Sequence, residues 1–394
     1  MNAADSDKLL KDVDGFCREL RPSEELCYVE RRFNDQVIPL AKKFNILAMP
    51  IPIEFGGRGA DAVTYARALS RIGQEGTGVR TFFSGHISIG QLPILAWGNV
   101  EQKQRYLPRS ARGEITMAFG LTEPDAGSNP LEMTTTYERR GNRFALSGVK
   151  YLISNGGIAD VIVAFAYPKD VSADGKRRMS AFIVETKGDS FAKEDMHAKM
   201  GMPTANTAMF EMTGHEVPAA NMLGNEGDGF RIAMHSLISG RLSVAAGSLG
   251  VIVDCLDECI AYAKERKQHG KEIAKHQLVQ EHIAMIEMHR VTSEGMVMAA
   301  AAAKQDSDDN PADEKKKAQA DLLVAEAKLH VSNAAWDAAD RAVQLFGGRG
   351  WSTLYRVGRH LMDVRVCRIY EGTDEILKLK IAAAVLGKDF QAFK

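Results

Sequence analysis

The hydrophobic period of this chain changes twice, and that double switch limits what it can fold into. Up to residue 117 apolar residues recur at three- and four-residue steps. Over 118–228 short β-rich runs take over. "RFALSGVKYLIS" alternates and then turns apolar, while "ADVIVAFAYP", "MSAFIVET" and "TAMFEMTGHEVP" follow with Gly, Pro, Asn and Asp between them. After "GNEGDG" the helical period returns. Ile252, Leu256 and Cys259 step by four and three, as do Val279, Ile283 and Ile286, and "AQADLLVAEAKLHVSNAAWDAADRAVQLF" reads as one long helix. The pattern predicts an α+β protein in three parts: an N-terminal helical domain over 1–117, a middle β-barrel or sandwich domain over 118–228, and a C-terminal four-helix bundle over 229–394.

Local signals refine the parts. "SEELCYVERRFNDQVIPLAKKF" predicts a helix that starts at Ser23 and runs on to Phe44. "EFGGRGAD" breaks the pattern, and helices are expected over 62–73, ending at Gly73, and over 86–98. "PKDVSADGKRR" (168–178) reads as a polar hairpin tip, and "QDSDDNPADEKKK" (305–317) as a solvated loop between two long helices.

Much chemistry is excluded. A net charge of −1 offers no basic field for nucleic acid. The five cysteines lack a CxxC pair, so they form neither a disulfide framework nor a zinc site, and Cys255 and Cys259, one helical turn apart, read as core. The ten histidines are scattered, which predicts no metal centre. No GxGxxG opens a helix after a strand and no GxxxxGK[ST] is present, which argues against a Rossmann fold or a P-loop. The N-terminus resembles neither a secretory signal nor a transit peptide, and no apolar stretch is long enough to span a bilayer, so the cytoplasm is expected, or the mitochondrial matrix for a processed eukaryotic protein.

One short stretch points to a reaction. In "RIYEGTDEI" (368–376) a lone carboxylate, Glu371, sits in a Gly-Thr turn ahead of a new helical run. It either complements the helix N-terminus, worth about 0.3–1 kcal/mol, or acts as a base. "AFGLTEPDAGSNP" (118–130), "YLISNGGIAD" (151–160), "RKQHGKEIAKHQ" (266–277) and "QLFGGRGW" (344–351) precede it in order. Together these five segments resemble the acyl-CoA dehydrogenases across nearly the whole chain, and "TGVRTFFSGHISIGQLPIL" looks most like the short- and medium-chain members.

The resemblance implies a flavoenzyme that binds FAD and oxidises an acyl-CoA thioester to the trans-2-enoyl-CoA. It further implies electron transfer to an electron-transferring flavoprotein and a homotetramer built as a dimer of dimers. Glu371 matches the position of the base that removes the α-proton. Some relatives place that base on an earlier helix, where this chain has Gly240. Phe119, Leu121, Thr122, Ser128, Leu152 and Ser154 match positions around the flavin. Leu152 stands where many relatives carry an aromatic residue. Arg266 and His269 match contacts to a neighbouring subunit's FAD, and Gln344, Gly347 and Gly348 match the reciprocal side. Thr373 and Glu375 match residues that touch its AMP half. Taken alone, "PDAGSN" is a plain turn, Arg266 a solvated helix end and the glycines an ordinary C-cap.

On the substrate side the resemblance implies contacts from Ser128, Arg241, Tyr370 and Gly372. Ile238 replaces a frequent aspartate that helps bind CoA, and Met362 replaces an arginine often found before the retained Asp363. Arg80 matches the far wall of the acyl pocket. Glutaryl-CoA dehydrogenases carry an arginine in a similar context for a distal carboxylate, but they carry a glutamate where this chain has Gly73. Arg80 therefore reads as a carboxylate ligand, a structural ion-pair partner or a surface residue. An acyl-CoA oxidase on the same fold and a non-catalytic scaffold are the rival readings of the whole chain.

Overall fold

The computed structural model describes residues 1–170, 177–390 and 392. The N-terminal part is helical: α1 (Ala3–Glu30), α2 (Val37–Lys43), α3 (Ala62–Gly73), α4 (Thr77–Phe83), α5 (Leu92–Trp97) and α6 (Val100–Ala111). Leu9, Val13, Phe16, Cys17, Leu20 and Cys27 form one buried stripe of α1. That stripe carries the helix through Pro22, so α1 begins at Ala3, capped by Asn2, rather than at Ser23. Ser23 instead donates its hydroxyl back to the Leu20 carbonyl. The helix stops at Arg31, whose left-handed backbone (φ 53°) caps it, so the expected run to Phe44 is two helices. Between α4 and α5 the chain winds as a π-helix over Ser84–Gln91, a form often found near functional sites.

The middle part holds β1 (Met117–Gly120), β2 (Thr136–Arg140), β3 (Arg143–Ser154), β4 (Val161–Pro168), β5 (Ser180–Glu185), β6 (Phe191–Asp195), β7 (Thr207–Pro218) and β8 (Met222–Leu223). The sheet order is β6-β7-β3-β2-β4-β5-β8, with β1 parallel to β4. β4 is apolar at every position because both its faces are covered. Val161, Val163 and Phe165 pack with Ile94, Leu107 and Ile232 from the helices, while Ile162, Ala164 and Ala166 pack with Phe144, Phe182 and Phe210 inside the β region. Of the hairpin tip expected over 168–178, residues 171–176 lie outside the described residues.

The C-terminal part comprises α7 (Gly229–Glu265), a small hairpin of β9 (Lys267–Gln268) and β10 (Lys271–Glu272), α8 (Gln277–Asp309), α9 (Glu314–Phe346), α10 (Arg356–Val364) and α11 (Asp374–Leu386). The loop expected over 305–317 shrinks to Asn310–Asp313. Both helices extend into it, and Asp313 caps α9 by accepting from the Lys315 and Lys316 amides. α7 is long and apolar enough to cross a bilayer by composition, but 83% of its most apolar window is buried within the protein. Cys255 and Cys259 lie in that core.

Two devices lock the N-terminal helices onto α7. Gly73 and Gly250 let the α3 and α7 backbones touch, since a Cβ at either would run into facing main chain. Arg21 on α1 pairs with Glu75 at 2.8 Å and reaches Asp254 on α7 at 4.0 Å, while Arg356 on α10 pairs with Asp254 at 2.9 Å and reaches back to Glu75 at 3.9 Å.

Candidate active site

The turn before α11 is conformationally strained. Glu371 has φ 57° and Gly372 φ 102°, and a non-glycine residue in that region costs on the order of 1 kcal/mol or more. Two cations hold the turn by its carbonyls. Arg241 on α7 donates Nε–H to the Glu371 carbonyl oxygen at 2.9 Å, and Lys328 on α9 donates from Nζ to that of Gly372 at 2.6 Å. Arg241 is itself oriented by Asp321 at 3.5 Å.

The Glu371 side chain does not cap the helix it precedes. Thr373 does, accepting from the Ile376 amide, and Asp374 and Glu375 supply the acids of the first turn. Glu371 Oε2 is buried and has no hydrogen-bond partner among the described residues. It lies against α7 at Gly240, where a Cβ would stand 2.5 Å from Oε2. Position 240 and the turn thus reach the same point in space. Burial pushes the Glu371 carboxyl up to about 7, opposed by the charges of Arg241, Arg80 and Lys328. A carboxylate so placed is a stronger base than one in water, and it titrates near neutrality.

Arg80, on α4, is 1% exposed, so it is not a surface residue. Among the described residues no carboxylate stands within ion-pair distance of it. Its Nη2 donates to the Tyr370 hydroxyl, and its guanidinium lies over the Tyr370 ring, 5.5 Å from the centroid. Its Nε is buried without a partner. The side chain reaches this place by lying across Gly247, where a Cβ would come within 2.7 Å of it. Asn155 ties the β region to α4, donating to the Phe82 carbonyl on α4 at 3.0 Å and to the Met117 carbonyl on β1 at 3.3 Å. Arg80, Arg241, Tyr370, Glu371 and Gly372 therefore form one cluster.

The positions that resemble a flavin site fall in separate places. Phe119 and Leu121 are buried at and just beyond the end of β1, whereas Ser128 is exposed. Thr122 accepts at its carbonyl from the Tyr151 amide at 2.9 Å, which brings the 119–128 loop beside Leu152. Leu152 is 52% exposed with φ 58°, at an irregularity in the β3–β7 ladder, and Ser154 follows in register with Thr207. An exposed leucine held in a left-handed conformation has no packing reason of its own and suits a face that a planar apolar ring would cover. Glu123 anchors the loop from beneath. It pairs with buried Lys150 at 2.8 Å and accepts from the amides and hydroxyls of Thr134 and Thr135. Burial alone would raise that carboxyl, but Lys150 and these hydrogen bonds outweigh it and hold it down at about 2.

Arg266, the C-cap of α7, and His269, with φ 51° in the β9–β10 hairpin, lie at the same end of the bundle as Gln344, Gly347 and Gly348. Tyr262 stacks on Phe346 there, with centroids 4.1 Å apart. A Cβ at Gly347 or Gly348 would meet nothing within 4 Å, so backbone is open to an approaching group. Thr373 and Glu375 lie beyond the base turn at the start of α11. The residues present thus fit a bound FAD, with an apolar strained face in the β region and open glycines and an arginine at the bundle end.

A cleft of about 950 Å³ runs along α7 past Ile238 and Leu242, between Tyr65 and Trp97 on one side and Asp321 on the other. Sequence reasoning missed Lys328, the Glu123–Lys150 pair and Asn155. Lys328 left one signal: it lies on the apolar stripe of α9 with Val324, Ala325 and Val331.

Comparison with known proteins completes the picture. The profiles of the acyl-CoA dehydrogenase N-terminal, middle and C-terminal domains match residues 4–114, 118–214 and 227–386. The chain is 37% identical to an acyl-CoA dehydrogenase of Bacillus subtilis, over 96% of this chain and 97% of that one. It is 34% identical to a short-chain specific acyl-CoA dehydrogenase of Clostridium acetobutylicum, over 93% and 94%. Among solved structures it resembles butyryl-CoA dehydrogenase from Megasphaera elsdenii, with TM-score 0.91, 31% identity and coverage of 98% and 99%. A glutaryl-coenzyme A dehydrogenase in complex with glutaryl-CoA gives 0.89, 31%, 98% and 96%. An acyl-CoA dehydrogenase complexed with FAD from Bacillus anthracis gives 0.89, 29%, 99% and 68%.

Proposed function

The chain belongs to the acyl-CoA dehydrogenase family and is an FAD-dependent oxidoreductase of that class, and on that premise we propose that Glu371 is its catalytic base. The reading rests on one observation: a buried carboxylate with an unpartnered oxygen, pinned by its main chain against α7, in a turn that another residue caps. The α-proton of a thioester is weakly acidic, and Glu371 takes it at an Oε atom. Desolvation by bound substrate strengthens the base further. Bound FAD supplies the acceptor for the hydride that leaves the β-carbon. Phe119, Leu121, Thr122, Ser128, Leu152 and Ser154 hold the flavin end. Arg266, His269, Gln344, Gly347, Gly348, Thr373 and Glu375 hold the remainder across subunits. Arg241, Tyr370 and Gly372 frame the thioester, Ser128 meets the CoA moiety, and the cleft along α7 gives CoA its room.

An electron-transferring flavoprotein is the proposed electron acceptor, and the cytoplasm the compartment. A homotetramer agrees with the exposed apolar side chains of Leu278, Met288 and Val291 on α8 and Val385 and Leu386 on α11.

A second reading concerns the substrate. Arg80 is buried beside the base and among the described residues pairs with no carboxylate, and a buried guanidinium favours an anion. An acyl chain with a distal carboxylate supplies one. The glutamate of the glutaryl enzymes has no room at Gly73, so Arg80 would act without it.

Anaerobic visible spectra of the FAD-loaded protein test both readings, with butyryl-, octanoyl- and glutaryl-CoA as substrates. The flavin band should bleach with the preferred thioester and persist in Glu371→Gln. Bleaching of that variant at the wild-type rate would remove Glu371 as base. Arg80→Gln should lower the glutaryl preference at least tenfold, and an unchanged order among the three thioesters would refute the distal-carboxylate reading. Rapid reoxidation by oxygen would instead mark an oxidase.

A further inference from the structure

Lys328 is fully buried on the apolar stripe of α9. Burying an ammonium is costly unless something compensates it. Among the described residues no carboxylate lies within ion-pair distance of it, and its one hydrogen bond is to the Gly372 carbonyl. A lysine kept there only for packing would be better replaced by methionine.

We propose that Lys328 is a positioning residue for the base, fixing Glu371 in its left-handed turn through the Gly372 carbonyl and keeping its carboxylate charged with a nearby positive field. The proposal rests on the reading of Glu371 as the base.

Three features carry it. First, Glu371 and Gly372 are consecutive residues of positive φ, and each offers its carbonyl to a different buried cation. Arg241 holds the peptide unit that follows Glu371 and Lys328 holds the next one, so the turn through Gly372 is fixed at both of its carbonyls. Second, three cations face the carboxylate from three helices: Arg241 from α7, Arg80 from α4 and Lys328 from α9. Arg241 pairs with Asp321, and Arg80 donates to the Tyr370 hydroxyl, which burial keeps neutral, so the Arg80 charge stays in place. Among the described residues Lys328 pairs with no carboxylate and adds its charge to theirs. The groups facing it are Cys367, Asp374, Glu371 and Arg241, and Asp374 is already paired with Arg368 at 2.8 Å. Third, without Lys328 the carboxylate would keep Arg241 and Arg80 but lose one of its three positive neighbours, and it would hold its proton to higher pH.

The test separates proton removal from oxidation. In an acyl-CoA analogue with sulfur in place of the β-methylene, the α-proton can leave but no hydride can follow. Exchange of that proton with D2O, read by NMR over pH 5–7.5 on the FAD-loaded protein, reports the base, because Lys328, which burial lowers to about 8, stays charged through most of that range. In Lys328→Met we expect exchange at pH 7 to fall roughly 10- to 100-fold. Its acid limb should move up by roughly one pH unit, because a positive neighbour is gone. Analogue affinity should stay within about threefold. A wild-type rate and limb would overturn the proposal, and so would a slower rate with an unmoved limb, which is the mark of a merely structural role. Should the methionine variant not fold, Lys328→Gln takes its place, and its acid limb must move the same way. Glu371→Gln is run beside them. If it still exchanges, the base assignment itself has failed, whatever Lys328 does.

Discussion

Replacing Glu371 by glutamine should stabilise the protein, and do so more as pH rises. The carboxyl sits at about 7, against 4.5 for a free glutamate. That gap corresponds to roughly 3 kcal/mol, reduced to about 2 kcal/mol because the side chain keeps some solvent contact. The sign follows from linkage. Below pH 4.5 the group is protonated in both folded and unfolded chains and exacts no penalty. Between 4.5 and 7 the unfolded chain ionises while the folded one resists, so wild-type stability falls across that window. Glutamine does not titrate. The melting temperature of Glu371→Gln minus that of wild type should therefore grow from near zero at pH 4.5 to roughly 3 °C above pH 7. Thermal unfolding of both FAD-loaded proteins at half-unit pH intervals measures it, and the subtraction removes the titration of Glu24 and Asp363, also raised by burial. A flat difference, or a wild type that gains on the variant as pH rises, would refute the reasoning. It would mean that Arg241, Arg80 and Lys328 outweigh desolvation.

Two more predictions follow from the packing. Gly240→Ala sets a methyl 2.5 Å from the base oxygen. Because the obstructed group is a side-chain end, folding should change by less than about 1 kcal/mol while turnover falls roughly 10- to 100-fold; normal turnover would place the working carboxylate elsewhere. Glu123→Gln strands buried Lys150, so unfolding free energy should drop by about 3–5 kcal/mol and FAD should be lost on gel filtration. The double variant with Lys150→Met should recover most of the stability, and if it does not, the loop is not held by this pair.

What the amino-acid sequence determined by itself is what neighbouring residues dictate. The change of hydrophobic period separates helices from strands, because each side chain's facing is set by the local rise of the backbone. The Glu-Gly-Thr turn marked a candidate base, and the order of five motifs marked the family. Local signals misjudged element ends where distant packing prevailed: the α1 stripe carries a helix through Pro22, and α8 and α9 extend through the charged residues on either side of Asn310–Asp313. The state of the site was decided only by the tertiary fold. Glu371 meets Arg241 across 130 residues and Gly372 meets Lys328 across 44. Arg80 reaches Tyr370 across 290, over a glycine that leaves it room. A lone lysine in a helical stripe and an arginine flanked by valine and threonine carry no local mark of their partners. Burial gives them their chemistry, and burial is a property of the whole chain.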